Sequence, residues 1–171
     1  MKRLSIFLAA LVLVSSCSKS PTEPATDDNH VQFKATLLPA NETPPISNSE
    51  NTGSGTATID FNLTRDSAGA ITAVSINYRA ELTGFPATTA LTQAHIHTGA
   101  AGVSGGTVQS SLISPGEVTF TGGAANFSRL NIVTVSVVNA QAIINNPAGF
   151  YFNIHSSANP GGVARGQLVK Q

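Results

Sequence analysis

Alternation of apolar and polar residues begins at Val31. Val31, Phe33, Ala35 and Leu37 share one side of an extended chain, and Gln32, Lys34 and Thr36 share the other. A period of two predicts a half-buried strand. After a loop that contains Pro44-Pro45, the same period returns, with Ala57, Ile59, Phe61 and Leu63 set against Thr56, Thr58, Asp60 and Asn62. Asp66-Ser67-Ala68-Gly69 reads as a hairpin turn, and Val74, Ile76, Tyr78 and Leu82 mark the returning strand. Further strand signals lie at 91–97, 107–112, 117–121, 130–138, 150–155 and 163–169. The one helix signal is at 139–146, with Asn139 as its cap and Pro147 as its stop. The expected core is Phe33, Ile59, Phe61, Val74, Ile76, Ile96, Val135, Phe152 and Ile154. Together these predict an all-β fold, a Greek-key β-sandwich of about eight short strands with one short helix near 139–146.

The N-terminus changes the picture from a bare domain to an exported one. Met1-Lys2-Arg3 is followed by an apolar run from Leu4 to Val14, too short to span a bilayer. The run ends in Val14-Ser15-Ser16-Cys17, which resembles the bacterial lipobox. That resemblance implies cleavage before Cys17, acylation of its thiol and a protein lipid-anchored to the cell envelope, periplasm-facing or surface-exposed. Residues 18–29 hold Pro, Ser, Thr and acids without a large apolar side chain, as a flexible tether does. The expected organisation is a signal peptide at 1–16, a lipidated cysteine and tether at 17–30, and one domain at 31–171.

Charge excludes one class of partner. Only 11% of residues are charged, and the basic ones are scattered, so no nucleic-acid surface is expected. Removal of the signal would leave seven basic against nine acidic residues. Cys17 is the only cysteine, so no internal disulfide can form.

Candidate chemistry gathers on the polar phase of two strands. In Ala94-His95-Ile96-His97 the apolar residues take the core side, so His95 and His97 project together from the other. In Phe150 to His155, His155 shares its phase with Asn153 and Tyr151, and Arg165 alternates with Ala164 and Gly166. Two readings are open. His95, His97 and His155 could hold one metal ion, copper or zinc by ligand type, and leave a position free, with Arg165 and Asn153 supporting them. Alternatively the histidines hydrogen-bond nearby loop backbone, above all the glycine-rich stretch 99–106, and bind no metal. That stretch lacks the Gly-Lys-Ser/Thr ending of a phosphate loop, and no nucleophile elbow or Ser/His/Asp signature is present. His30 falls in the tether and reads as a solvated side chain.

Three blocks carry a family resemblance: Phe33 to Leu38 with Asn41-Glu42-Thr43-Pro44-Pro45 and Gly55-Thr56-Ala57; Ala94-His95-Ile96-His97-Thr98-Gly99; and Phe150 to His155 with Asn159-Pro160-Gly161-Gly162 and Arg165-Gly166-Gln167-Leu168. Their order resembles the CHRD domain, named after chordin, across residues 31–169. The resemblance implies an extracellular or exported module without a generally assigned activity. His95-Ile96-His97 before a glycine loop, and Gly161 to Arg165, are also similar to segments of Cu/Zn superoxide dismutases, although this chain has three candidate histidines, no disulfide pair and no recognisable zinc loop. The function expected first is a non-catalytic binding or structural module of the cell envelope, held to the membrane by its lipid and meeting an envelope protein or glycan. The alternative is a copper-binding carrier or redox enzyme built on the three histidines.

Overall fold

A computed structural model describes residues 28–171. The signal, Cys17 and the tether up to residue 27 lie outside the described residues. Nine strands form two antiparallel sheets that pack face to face. The strands are β1 His30–Leu37, β2 Ser54–Arg65, β3 Ile71–Thr83, β4 Leu91–Thr98, β5 Thr107–Ser110, β6 Ala125–Ile132, β7 Phe150–Ser156, β8 Ala164–Gln167 and β9 Val169–Lys170. One sheet runs β6-β3-β2-β1-β9, the other β5-β4-β7-β8. The all-β sandwich read from the alternation is the fold observed.

The alternation works because each strand has one side to bury. Phe33, Ile59, Phe61, Ile76, Ile96, Phe152 and Ile154 are fully buried, and Val74 and Val135 nearly so. Phe33 meets Phe61 edge to face at 5.2 Å within one sheet, and Tyr78 of that sheet stacks on Phe152 of the other at 5.8 Å. Asp66 closes the β2–β3 hairpin by accepting from the backbone N–H groups of Ala68 and Ala70.

Four expectations are corrected. Most of the stretch 130–138 is not strand: β6 takes Ala125–Ile132, with Asn131, at φ 57°, where its register with β3 shifts, and the chain leaves the sheet after Ile132. Phe127 supplies the inward anchor of β6 and pairs with Ala80 of β3, whereas Val133 and Val138 are exposed. The helix, α1, spans Val137–Asn145 rather than 139–146. Its cap is Ser136, whose side-chain oxygen accepts from the N–H of Asn139. Residues 117–121 make only isolated bridges, Ala90 with Thr119 and Thr121 with Ala124. Finally, the last tether residues are held by the sheet. Leu63 N–H donates to the Asn29 carbonyl, and His30 opens β1 with its ring 3.3 Å from Asp60.

The two sheets differ on their outer sides. Every residue of β7 is buried, including those that point away from the sandwich core. Loops lie over that side. The segment between β1 and β2 brings Glu42 and Glu50 down onto β7 and the turn after it, and the glycine-rich loop after β4 is tied to β8.

Candidate functional site

The site is set by register. β4 and β7 pair so that His95 lies opposite Asn153, His97 opposite Tyr151, and Gln93 opposite His155. β8 adds Arg165 beside Asn153 and Gln167 beside Tyr151. With a period of two, His95, His97, Tyr151, Asn153, His155, Arg165 and Gln167 share the outer side of one sheet. Thus the structure brings together the five residues expected at the histidine site: His95, His97, His155, Arg165 and Asn153. His30 is elsewhere, on the five-stranded sheet beside Asp60.

The three histidines converge, with one ligand atom from each within 4.8 Å of the others. Nδ1 of His95 and Nε2 of His155 are 3.3 Å apart. That is roughly the chord between two nitrogens bound tetrahedrally to one ion at bonds of about 2.0–2.1 Å. His97 is fixed on two sides. Its Nδ1–H donates to the Gly105 carbonyl at 3.1 Å, and its ring lies parallel to Tyr151 at 5.0 Å. Gly105 has to be glycine, because a Cβ there would sit 2.0 Å from the Thr98 carbonyl oxygen. Similarly, the Nδ1–H of His155 donates to the Pro160 carbonyl at 2.8 Å.

Carbonyls only accept, so these bonds fix the tautomers. Both rings carry their proton on Nδ1 and leave Nε2 with a free lone pair. For His155 that lone pair receives the Nδ1–H of His95; for His97 it is buried with no partner. Both readings of the histidines are therefore realised at different atoms of the same rings. In His97 and His155, Nδ1 is spent on loop backbone and Nε2 is turned into the cluster, the way metal-binding histidines are oriented in proteins. An ion there would take the place of the proton between His95 and His155, with His95 ligating through Nδ1 and carrying its proton on Nε2.

Electrostatics favour neutral rings. Burial, together with the neighbouring His155 and His97, lowers the pKa of His95 to about 4. His97 and His155 are lowered too, again mainly by burial, with the Gly105 and Pro160 carbonyls pulling the other way. Neutral imidazole is the form that ligates metal.

Arg165 is the largest fully buried side chain, at 1% exposure. Its Nη2 donates to the carbonyls of Ala100 and Val103, pinning the glycine-rich loop, and its guanidinium carbon lies 3.5 Å from the centre of the Tyr151 ring. His97, Tyr151 and Arg165 thus form one stack. Arg165 faces outward by phase, as expected, yet the loops cover it.

The sequence reading did not single out Glu42. Its carboxylate accepts from Asn153 Nδ2 at 3.2 and 3.4 Å, and burial raises its pKa to about 7 against the opposing pull of Arg165 and Asn153. Glu50 was missed as well. It accepts from Ser156 Oγ at 2.6 Å and from Asn159, and so steadies the turn that presents the Pro160 carbonyl to His155. The available signal for Glu42 was its place in Asn41-Glu42-Thr43-Pro44-Pro45, one of the blocks of the resemblance. Tyr151 was visible by phase alone. Cys17 lies outside the described residues.

Against known proteins, the family model described as "CHRD domain" matches residues 33–168, which include every residue of this site. No curated protein and no solved structure matches the chain.

Proposed function

The chain belongs to the CHRD-domain family, a binding or structural module, and from that premise we propose that what this module binds is a transition-metal ion held by His95, His97 and His155. One observation carries the reading. Nε2 of His97 is a buried lone pair without a partner, turned by Gly105 toward a cluster that already holds two nitrogens 3.3 Å apart. An unsatisfied buried polar group costs about 1–3 kcal/mol, and a cation at the centre of the cluster would satisfy it together with its neighbours. Three neutral imidazoles suit copper or zinc, and the general affinity order favours Cu(II). The proposal rests on these atoms and not on likeness to superoxide dismutases.

The setting we propose is the envelope. The lipobox-like end at Cys17 and the apolar-poor tether support an exported, lipid-anchored protein. On this reading the domain is a non-catalytic metal-binding module at the membrane surface.

Isothermal titration with Cu(II) tests the metal site. We expect one Cu(II) per chain, bound more tightly than Zn(II), with binding lost in the His95→Ala, His97→Ala double variant. Equal binding by wild type and double variant, or none by wild type, defeats the reading and leaves the histidines a structural role.

A further inference from the structure

Asn153 carries a second orphaned atom. Its Oδ1 is buried without a hydrogen-bond partner, like Nε2 of His97. The orientation of the amide is set by its other end. The ionised Glu42 carboxylate only accepts, at 3.2 and 3.4 Å, so in that state the nitrogen faces it. Gly162 closes over that end: a Cβ there would lie 2.6 Å from Nδ2 and 2.8 Å from the carboxylate. Oδ1 is therefore the free end of an amide whose cross-strand neighbour is His95. The cluster thus presents two unfilled needs of different kinds. His97 Nε2 wants an electron-pair acceptor, and Asn153 Oδ1 wants a hydrogen-bond donor.

A hydrated metal ion meets both needs. Three histidines leave the fourth position of a tetrahedral site open, and water bound there is a strong donor. Resting on the metal reading above, we propose that Asn153 Oδ1 accepts a hydrogen bond from water in that fourth position. Asn153 is then a positioning residue that favours a protic ligand over a small aprotic anion. An anion such as azide has no hydrogen to offer, and it would set its charge against the amide oxygen that the water had satisfied.

The test uses Cu(II)-loaded protein, with azide binding followed by its charge-transfer absorption. Asn153→Leu, close in shape but unable to accept, should bind azide on the order of fivefold to tenfold more tightly than wild type, the effect of one hydrogen bond. Asn153→Val, which likewise cannot accept and leaves every charge in place, should shift affinity the same way. Pulsed EPR of the wild-type protein in D₂O should show exchangeable deuterons at first-shell distance from copper. No Cu(II) uptake by wild type in the calorimeter defeats the metal reading itself. Uptake with unchanged azide affinity in the variants, or without first-shell deuterons, overturns the role of Asn153 alone. If Asn153→Leu does not fold, Asn153→Val and the deuteron measurement decide.

Discussion

The outer sides of the two sheets are built from the same strand geometry and put to opposite uses. On the five-stranded sheet the outward positions of β1 meet solvent: Lys34 and Thr36 are exposed, and Gln32 is half-buried. On the four-stranded sheet the outward positions of β7, Tyr151, Asn153 and His155, are all buried, as is Arg165 of β8. Burying a polar group costs free energy unless a partner replaces water. The loops supply those partners one by one: Gly105 for His97, Pro160 for His155, Glu42 for Asn153, and Ala100 and Val103 for Arg165. A surface that only had to be soluble would not need this. Four buried side-chain atoms among the described residues lack a partner, and two of them, His97 Nε2 and Asn153 Oδ1, lie on this covered side in residues whose other ends are held by Gly105 and Glu42.

The sharpest way to break this contrast is to remove the same kind of group from each side. Arg165→Ala should destabilise the domain by about 3–5 kcal/mol, because it takes away a buried cation, two carbonyl partners and the stack on Tyr151. Lys34→Ala, on the open side, should stay within about 0.5 kcal/mol. Denaturant unfolding measures both. Similar losses would show that the covered side is no more committed than the exposed one.

A smaller effect should appear in the pH dependence of the metal-free domain. The folded pKa values of His95, His97 and His155 are lowered, that of His95 to about 4. Between there and the unfolded value near 6.5 the unfolded chain binds more protons. Their combined contribution to stability therefore rises with pH across that window and is constant above it. Glu42 acts in the opposite sense. Its folded pKa is raised to about 7, so its contribution falls as pH climbs from 4.5 to 7. Replacing all three histidines by Gln should remove the rising term and leave the falling one. Unfolding curves at a series of pH values would show the gap between wild type and variant widening from about pH 4 to about 6.5. Parallel curves would mean that the rings are as hydrated in the folded state as in the unfolded one.

How much of this was legible in the sequence depended on whether a feature was local. The phase of each main strand follows from period two, and Phe33, Phe61, Ile96, Phe152 and Ile154 fell on the correct side. The convergence of His95, His97 and His155 followed from the same phase once their strands were neighbours, and that adjacency came from the family resemblance. Non-local facts were not legible. The inward placement of Phe127 is decided by pairing with Ala80, so a β-branched stretch at 130–138 read as a strand while Val133 in fact faces solvent. Asn139 read as a helix cap because of its residue type, yet its side chain reaches the Val108 carbonyl and Ser136 does the capping. Nor did phase reveal that the histidine side is covered. That depends on where the segment from Pro39 to Gly53 lies down, and with it Glu42.

A small effect is expected at Asp60, a buried charge on the open side among the described residues. Asp60 points outward from β2, is 4% exposed, and is 3.0 Å from Arg79. On paper it resembles the buried charges under the loops. The difference lies in redundancy and solvent. The Arg79 side chain is 57% exposed, and Asp60 also accepts from Gln32 at 2.7 Å and lies 3.3 Å from His30. Removing Arg79 therefore leaves the carboxylate with partners and lets water reach the vacated side. An exposed partner in an ion pair contributes about 0–1 kcal/mol. Arg79→Ala should accordingly cost less than about 1 kcal/mol, with much of that loss screened by added salt. Arg165→Ala should be indifferent to salt, because its partners are carbonyls under loops. Unfolding of both variants at low and high ionic strength measures this directly. A salt-independent loss at Arg79 as large as that at Arg165 would mean that the two sides of the sandwich hold their charges in the same way.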